Sequence, residues 1–330
     1  MQSWKINHLN KIYLENEELG DNPVKVKVSK ALLDSTDINI LKGEGNRYPI
    51  TPSHIAIGNL SEEYSDIGMK FGEKVLISPY IEGDIAYDKK VKIAPEIDIM
   101  GIDIDGMLKE YVDVPSKNVY LLPEGITDKD ALTVENIALG IKIFSKLDIS
   151  KGEIVVIIGG SALSILICQL AIYYQAVPIL IDSDETRLEI ATDLGVYYTI
   201  NPQEAEVIGQ ILSFTGGRMA DYVIYDPTTT SPLQPAFQYA KRGGKIAVAG
   251  HNKATVSVSL TKLLEKQLQI IGINNGFDEI PAAINLLATK SIDTSFIQTR
   301  DIKFNEVDST LLEYANLPTT NDVNIVVTIN

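Results

Sequence analysis

From about Val155 onward, apolar runs of strand length alternate with segments in which apolar residues recur at helical spacing. The apolar runs are VVIIG (155–159), PILID (178–182), YYTIN (197–201), DYVIYD (221–226), KIAVAG (245–250) and LQIIGI (268–273). The helical segments are SALSILICQLAIYYQ, DETRLEIATDLG ending at Gly195, QEAEVIGQILSFTGG, and SPLQPAFQYAKRGG closed by Gly243 and Gly244. This alternation predicts an α/β fold with a doubly wound parallel sheet of six strands.

The first 135 residues follow a different pattern, in which short β-like runs (VKVKVS, KVLISPY and LKEYVDVP) are separated by turn residues. Such a pattern is typical of a mainly β domain with irregular connections. After Asn275 the chain has one helical segment, IPAAINLLATK, and a final strand, VNIVVTIN. Because a terminal strand needs a partner sheet, we expect it to return to the N-terminal domain. The predicted domains are therefore 1–136 together with 275–330, and 137–274.

Charge and cysteine content narrow the classes of partner. The net charge is −15, so the surface repels phosphate backbones and anionic lipid, and we expect no nucleic-acid or membrane partner. The single cysteine, Cys168, cannot form an internal disulfide. The N-terminus has no signal-peptide core, and the uncharged stretch 154–174 is broken at 159–161 by GGS. These features predict a cytoplasmic protein.

The first strand of the predicted sheet runs into a loop that resembles only part of the dinucleotide fingerprint G-x-G-x-x-G. Gly159 keeps the first glycine, while Ser161 and Ser164 replace the other two. The amides of a helix N-terminus can bind a pyrophosphate whatever the side chains are. The loop is thus either a cofactor site or a plain strand–turn–helix connection. As a cofactor site it would use Gly159, Gly160, Ser161, Ala162 and Leu163.

The second strand ends in Asp182, 23 residues beyond Gly159. A carboxylate there can accept hydrogen bonds from the adenosine ribose and repel a 2′-phosphate, which favours NAD over NADP. The alternative is that Asp182 caps the helix beginning at DETRLE. Arg187, in that helix, either lies against the adenosine or is a solvated helix residue.

Several segments, taken in order, resemble medium-chain zinc-type dehydrogenases of the alcohol, polyol, threonine and sugar type. They are DGMLKEYVDVPSKNVYLLPEGITDKDAL (105–132), TVENIALGIKIF (133–144), KGEIVVIIGG (151–160), GGRMADYVIYD (216–226) and KRGGKIAVAG (241–250). The resemblance implies a GroES-like catalytic domain, a Rossmann NAD(P)-binding domain, and a homodimer or homotetramer. It implies hydride transfer between NAD(H) and a small-molecule secondary alcohol, polyol or sugar, with Gly250 and Ile273 also at the cofactor.

The resemblance further implies one catalytic zinc. Asp34 stands in the place of the family's cysteine ligand, while His54 and Glu135 match the other two ligands. All three side-chain types bind zinc, and oxygen ligands also admit other divalent ions. The alternative is that the metal has been lost, so that Asp34 is a turn residue, His54 a satisfied histidine and Glu135 a carboxylate at a helix start. Ile55 replaces an adjacent carboxylate of the family.

By the same resemblance Thr36 relays the substrate proton, and Asn39 replaces a histidine at the end of that relay. Thr36, His54 and Glu135 are the predicted catalytic residues. The family's structural zinc needs four cysteines between Pro79 and Gly106, and this sequence has none there, which predicts no structural zinc. The other histidines, His8 and His251, are weaker candidates. His251 follows the fifth strand near the expected nicotinamide half of the cofactor, where a lone histidine is more often a loop residue.

Two other functions remain open at this point. The chain could be a zinc-free reductase of the quinone/enoyl type, which uses the same fold without a Lewis acid. It could also be a nucleotide-binding relative without catalysis, because a fold can be kept after its catalytic function is lost.

Overall fold

The computed structural model describes residues 1–7, 11–45, 47–83, 87–88, 91–92, 97–227, 232–250, 257–317 and 323–329. The chain forms two compact units. Unit 1 consists of residues Met1–Leu132 and Gln298–Asn330, and unit 2 of Thr133–Ile297. In the described residues no helix is long and apolar enough to span a bilayer.

Unit 1 is mainly β. Its strands are β1 (Gln2–Asn7), β2 (Lys11–Asn16), β3 (Val24–Asp34), β4 (Ile55–Leu60), β5 (Lys74–Ile77), β6 (Tyr80–Glu82), β7 (Tyr87–Asp88), β8 (Val91–Lys92), β9 (Ile97–Ile99), β10 (Tyr111–Val114), β11 (Val119–Leu121), β18 (Arg300–Lys303) and β19 (Asn324–Thr328). Its α-helices are α1 (Ser35–Asn39), α2 (Asp128–Ala131) and α10 (Val307–Ala315). A π-helical turn, Ile40–Glu44, follows α1.

The main sheet of unit 1 has the order β11-β5-β4-β3-β19-β18, and β10 also pairs with β3. Strand β3 begins with the alternation that a half-buried strand requires, since Val24, Val26 and Val28 are buried and Lys27 is exposed. β19 pairs antiparallel with β3, so the C-terminal strand returns to the N-terminal segment, as we expected.

Unit 2 contains the parallel sheet. Its strands are β12 (Ile154–Ile158), β13 (Val177–Ile181), β14 (Tyr198–Ile200), β15 (Ala220–Tyr225), β16 (Ala240–Ala249) and β17 (Gln269–Ile273). Its α-helices are α3 (Val134–Leu147), α4 (Ala162–Tyr173), α5 (Glu185–Asp193), α6 (Val207–Phe214), α7 (Ala236–Tyr239), α8 (Leu260–Lys266) and α9 (Ile280–Ala288).

The strand order β14-β13-β12-β15-β16-β17 is that of a doubly wound dinucleotide-binding sheet, and every described pairing in it is parallel. All five residues of the central strand β12 are buried, which explains why it is an uninterrupted apolar run rather than an alternating one. The predicted α/β fold is therefore confirmed.

Of the segment 231–244, for which a helix is predicted, only Ala236–Tyr239 is α-helical in the described residues. Helix α7 ends at Tyr239, and β16 begins at Ala240, which pairs with Ala220. The next pair in the register is Tyr222 with Lys245, so β16 bulges between the two pairs, and Gly243 in the bulge has φ +75°. Glycine tolerates this conformation, and here the residue serves a β-bulge instead of closing a helix.

The two units also differ in extent from the predicted domains. Unit 2 covers Thr133–Ile297, whereas the predicted domain covers 137–274. Helix α9 packs against α3 and thus lies in unit 2. Farther along, the side chain of Gln169 bonds the backbone of Asp293 twice. Its Nε2 donates to the Asp293 carbonyl at 2.8 Å, and its Oε1 accepts from the Asp293 backbone amide at 2.8 Å. This two-point hydrogen bond, like a pair in a β-ladder, attaches the segment after α9 to α4.

Glycine at position 276 allows the connection before α9 to lie directly on α3. A Cβ there would stand 2.3 Å from the Ala138 carbonyl carbon and 2.4 Å from the Leu139 amide nitrogen. We therefore expect Gly276→Ala to lower the free energy of unfolding by about 1–3 kcal/mol, because backbone must move. Gly272→Ala is the matched control, since a Cβ at Gly272 meets nothing within 4 Å. Urea unfolding compares the two, and equal stabilities would contradict this packing.

Candidate metal centre and cofactor loop

The structure brings Asp34 and His54 together at the ends of β3 and β4, two inner strands of the unit 1 sheet. Asp34 is the last residue of β3, and His54 directly precedes β4. The two strands pair antiparallel, with Leu32 opposite Ile55, so these side chains meet where β3 ends and β4 begins. The distance from Asp34 Oδ2 to His54 Nε2 is 3.7 Å. His54 is buried and Asp34 half-buried.

Local hydrogen bonding fixes Asp34 as the N-cap of α1. Its Oδ1 accepts from the Thr36 amide at 2.7 Å, and its own amide donates to Asp37 Oδ2 at 3.0 Å. The two residues thus form a capping box, in which the side chain of each accepts from the backbone amide of the other. Both Asp34 interpretations from the sequence are compatible with this arrangement, because capping uses Oδ1 and leaves Oδ2 facing His54.

Asp37 is a site residue that sequence reasoning missed. It is fully buried, and its Oδ1 accepts from the Ser53 amide at 2.7 Å. One potential ligand atom from each of Asp34, Asp37 and His54 lies within 4.8 Å of the others. Burial and the charge of Asp34 raise the pKa of Asp37 to about 7, against the lowering effects of His54 and the two amide bonds. The spacing D-x-x-D of a capping box was the available signal.

The Asp34–His54 pair fits a divalent cation. Metal bonds of about 2.0–2.1 Å in a tetrahedral site place neighbouring ligand atoms roughly 3.3 Å apart, and the observed separation is 3.7 Å. A small adjustment of either side chain closes that gap. Each oxygen of Asp37 accepts one amide bond, so this carboxylate also holds in place the segments that carry the pair.

The other predicted residues of this site lie as follows. Thr36 and Asn39 are the second and last residues of α1, and both are half-buried. Glu135 is the second residue of α3 in unit 2 and is buried. His8 and His251 lie outside the described residues.

In unit 2 a short loop connects β12 to helix α4. Gly159 leaves the strand with φ +94°. Ser161 is the N-cap of α4, where its hydroxyl accepts from the Ser164 amide at 3.1 Å and donates to Asp226 Oδ2 at 2.5 Å. Ala162 and Leu163 form the first turn of α4. Asp226, which directly follows β15, was also missed by sequence reasoning.

Asp182 directly follows β13 and is bonded to this loop. Its Oδ2 accepts from the Gly160 amide at 2.5 Å, and its Oδ1 from the Asp184 amide at 2.7 Å. The N-cap of α5 is Asp184, which accepts from the Thr186 amide at 2.9 Å. The helix-capping alternative for Asp182 is therefore wrong.

Arg187 reaches back to the same carboxylates. Its Nη1 lies 3.5 Å from Asp182 Oδ2, and its Nε lies 3.7 Å from Asp184 Oδ2. The side chain is 20% exposed, so it is not simply a solvated helix residue. A Cβ at Gly160 would stand 3.0 Å from Arg187 Cβ, which shows how closely the arginine stem lies on the loop.

The remaining predicted cofactor residues end neighbouring strands. Gly250 follows β16 with φ +112°, and its amide donates to the carbonyl of Ile273, the last residue of β17, at 3.0 Å. Gly159, Asp182, Gly250 and Ile273 therefore all lie at the carboxyl ends of the parallel strands. This is the edge at which open α/β sheets bind their ligands.

Two family models match the chain. Residues 20–124 match the alcohol dehydrogenase GroES-like domain, and residues 162–289 match the zinc-binding dehydrogenase family. The first range lies within unit 1 and the second within unit 2. The chain belongs to the medium-chain dehydrogenase/reductase family, zinc type.

Curated relatives and a solved structure agree with this family. The chain is 28% identical to a zinc-type alcohol dehydrogenase-like protein of Haemophilus influenzae, over 91% of this chain and 90% of that protein. It is 21% identical to sorbitol dehydrogenase of Bacillus subtilis, over 86% and 83% of the two chains. An alcohol dehydrogenase of Escherichia coli, solved with NADH, superposes with a TM-score of 0.83 over 99% of each chain at 21% identity, which shows a shared fold.

The loop that leads to His54 is also held by Asp105. Asp105 Oδ1 accepts from the Thr51 amide at 2.8 Å, and Oδ2 accepts from Lys5 Nζ at 2.9 Å. Burial raises the pKa of Asp105, but the hydrogen bonds from Lys5 and Thr51 outweigh burial and hold this pKa below its ordinary value.

A lowered carboxyl pKa stabilises the fold above the unfolded-state pKa, and this contribution is lost as the pH falls through the folded-state pKa. We expect Asp105→Asn to lower the free energy of unfolding at pH 7 by about 1 kcal/mol, a value kept small because solvent screens this half-exposed carboxylate. The difference from the wild type should shrink as the pH drops below about 4. Denaturant titrations across pH measure it, and a constant difference at every pH would refute the assignment.

Proposed function

We propose that this chain is an NAD(H)-dependent oxidoreductase acting on secondary alcohols, polyols or sugars and the corresponding ketones. The reaction converts the alcohol and NAD⁺ into the ketone, NADH and a proton. The observation that carries the proposal is the pairing of Asp34 Oδ2 with His54 Nε2 at 3.7 Å, within the range that matches the alcohol dehydrogenase GroES-like domain. The proposal includes the homodimer or homotetramer that the family resemblance implies, and the cytoplasmic location that the sequence features predict.

Asp34, His54 and Glu135 are the residues that would hold a divalent cation, which we propose to be zinc. When bound, such an ion supplies a Lewis acid that lowers the pKa of an alcohol. Imidazole nitrogen and carboxylate oxygens are accepted zinc ligands, and three protein ligands keep a position open for substrate. The capping of α1 by Asp34 Oδ1 holds Oδ2 of the same carboxylate towards His54.

Thr36 is proposed to relay the substrate proton. Its backbone is fixed by the hydrogen bond from its amide to Asp34 Oδ1, so its side chain is attached to the same rigid turn as the candidate ligand. A hydroxyl can accept a proton from the alcohol while donating its own. Asn39 has no titratable side chain, so the proton leaves through water.

NAD is the proposed cofactor, bound at the carboxyl edge of the parallel sheet. Within the loop from Gly159 to Leu163, the amides of Ser161, Ala162 and Leu163 would face the pyrophosphate, which a helix N-terminus attracts. The Gly159 and Gly160 amides donate to the Ile181 carbonyl and to Asp182 instead. Asp182 would accept from the adenosine ribose through lone pairs that its two backbone donors leave available. Its negative charge, with that of Asp184, outweighs the single charge of Arg187 and disfavours a 2′-phosphate.

Replacing Asp182 tests the cofactor assignment. We expect Asp182→Ala to weaken NADH binding by about tenfold, because hydrogen bonds to a charged acceptor are lost, and to narrow the preference over NADPH. Glu153→Gln is the control, since Glu153 directly precedes β12 and so lies at the opposite end of that strand from the loop. Fluorescence titration with both dinucleotides measures this, and a wild-type protein that binds NADPH more tightly than NADH would contradict the NAD assignment.

The activity itself is tested with a panel of secondary alcohols, polyols and sugars and of ketones. We expect turnover with NAD(H) that strong chelators abolish and that Asp34→Asn or His54→Ala reduces roughly 100-fold or more. NADH affinity should remain unchanged in these variants, because both residues lie in unit 1. Asp130→Asn, in the capping box of α2, is the control. Turnover that survives chelation would instead support a zinc-free reductase, and NADH binding without any turnover a non-catalytic relative.

A further inference from the structure

Ser53, directly before His54, has a left-handed backbone conformation. Its φ is +72°, and the residue is fully buried. Residues with a Cβ rarely adopt this conformation, and glycine is the usual choice. Strained backbone of this kind persists only where the surrounding structure enforces it, and it concentrates at functional sites.

Hydrogen bonds from Ser53 reach the chain on both sides of Asp34. Its amide donates to Asp37 Oδ1 at 2.7 Å, and its hydroxyl donates to the Leu32 carbonyl at 2.9 Å. The same hydroxyl lies 3.0 Å from the Ile55 carbonyl, just beyond His54. Leu32 is two residues before Asp34 and Asp37 three residues after it, so Ser53 connects the candidate ligand segments to each other.

The loop that contains Gly101, Gly106 and Met107 holds the peptide group between Ser53 and His54 in one orientation. The Met107 amide donates to the Ser53 carbonyl oxygen at 2.9 Å. A Cβ on Gly101 or Gly106 would stand 2.6 Å or 2.3 Å from that oxygen, so both loop positions pack directly on it. The conformation of Ser53 is thus fixed by its amide, its hydroxyl and its carbonyl oxygen, each of which is hydrogen-bonded. This conformation sets the direction in which the His54 side chain points.

We infer that Ser53 is a positioning residue, which holds the His54 imidazole beside Asp34 at the separation that a divalent cation requires. The serine supplies what a glycine could not, namely a hydroxyl that is bonded to β3 next to the candidate ligand. This inference rests on the proposed function, because it assumes that the pair binds a cation. A serine that only stabilised the fold would affect unfolding and leave cation affinity unchanged.

The test uses the metal-free full-length protein and two variants. Ser53→Gly removes the hydroxyl and relieves the backbone strain, and Ser53→Ala removes the hydroxyl and keeps the strain. Gln175→Gly is the control for strain relief, since Gln175 has φ +62° in unit 2. Ser29→Ala is the control for a lost hydroxyl, since Ser29 bonds the Ile57 carbonyl at 3.2 Å between the same two strands. Co²⁺ titration followed by visible absorption, thermal unfolding and NADH titration are measured on each.

We expect Ser53→Gly to weaken Co²⁺ binding by about tenfold or more, as loss of groups that orient metal ligands does. Its unfolding temperature should stay within a few degrees of the wild type, and its NADH affinity should be unchanged. Ser53→Ala should also bind Co²⁺ more weakly and unfold earlier, while both controls bind like the wild type. If Ser53→Ala does not fold, Ser53→Gly decides.

Two results would overturn the inference in distinguishable ways. If the wild type binds Co²⁺ and Ser53→Gly binds it within about threefold of the same affinity, Ser53 does not position the pair, and the proposed function is untouched. If the wild type binds no Co²⁺, both the cation part of the proposed function and this inference fail.

Discussion

The candidate metal centre depends on one carboxylate, Asp37, and the two backbone amides that it accepts. One amide belongs to Asp34 at the end of β3 and the other to Ser53 at the start of the segment before β4. Burying a carboxylate is costly unless hydrogen bonds compensate it, and the pKa of about 7 for Asp37 reflects burial and the Asp34 charge acting against those bonds. The bond from Ser53 to Asp37 joins residues that are 16 apart in the chain. Together with the bond from Asp34, it holds Asp34 and His54 close to each other.

A carboxylate in the place of the cysteine ligand that the family resemblance implies changes the chemistry of the proposed centre. A carboxylate is a harder ligand than a thiolate, so the site is suited to zinc and also to other divalent ions. A carboxylate can also cap a helix and face a metal at the same time, because it has two oxygens. Asp34 uses one oxygen for Thr36 and presents the other to His54, and the capped helix α1 holds it in that orientation.

The parallel sheet was predictable from sequence because its signal is local and strong. Strand β12 is apolar throughout and buried throughout, and the predicted limits of five of the six strands lie within one or two residues of the observed ones. Strand β16 was the exception, since Ala240 joins the sheet only by pairing with the distant Ala220. The extent of unit 2 beyond Asn275 likewise depends on the bond between Gln169 and Asp293, which no local pattern contains.

The site was predictable only in part for the same reason. Asp34 and His54 could be found by resemblance, because each matches one family position. The bond from the Asp34 amide to Asp37 has a signal in the D-x-x-D spacing, whereas the bond from the Ser53 amide leaves no mark in the sequence. Similarly, Asp182 could be found at the end of a strand, whereas its bond to the Gly160 amide could not. The loss of two fingerprint glycines is tolerated in this fold, since Ser161 caps α4 with its hydroxyl.

The central claim is that Asp34 and His54 meet in order to bind a cation. The most direct measurement is anomalous diffraction at the zinc edge, on crystals of protein that was purified without chelators and supplied with zinc. Our account predicts an anomalous peak at bonding distance from Asp34 Oδ2 and His54 Nε2. A zinc-replete crystal with no peak there, in which Asp34 and His54 contact only each other, would contradict it.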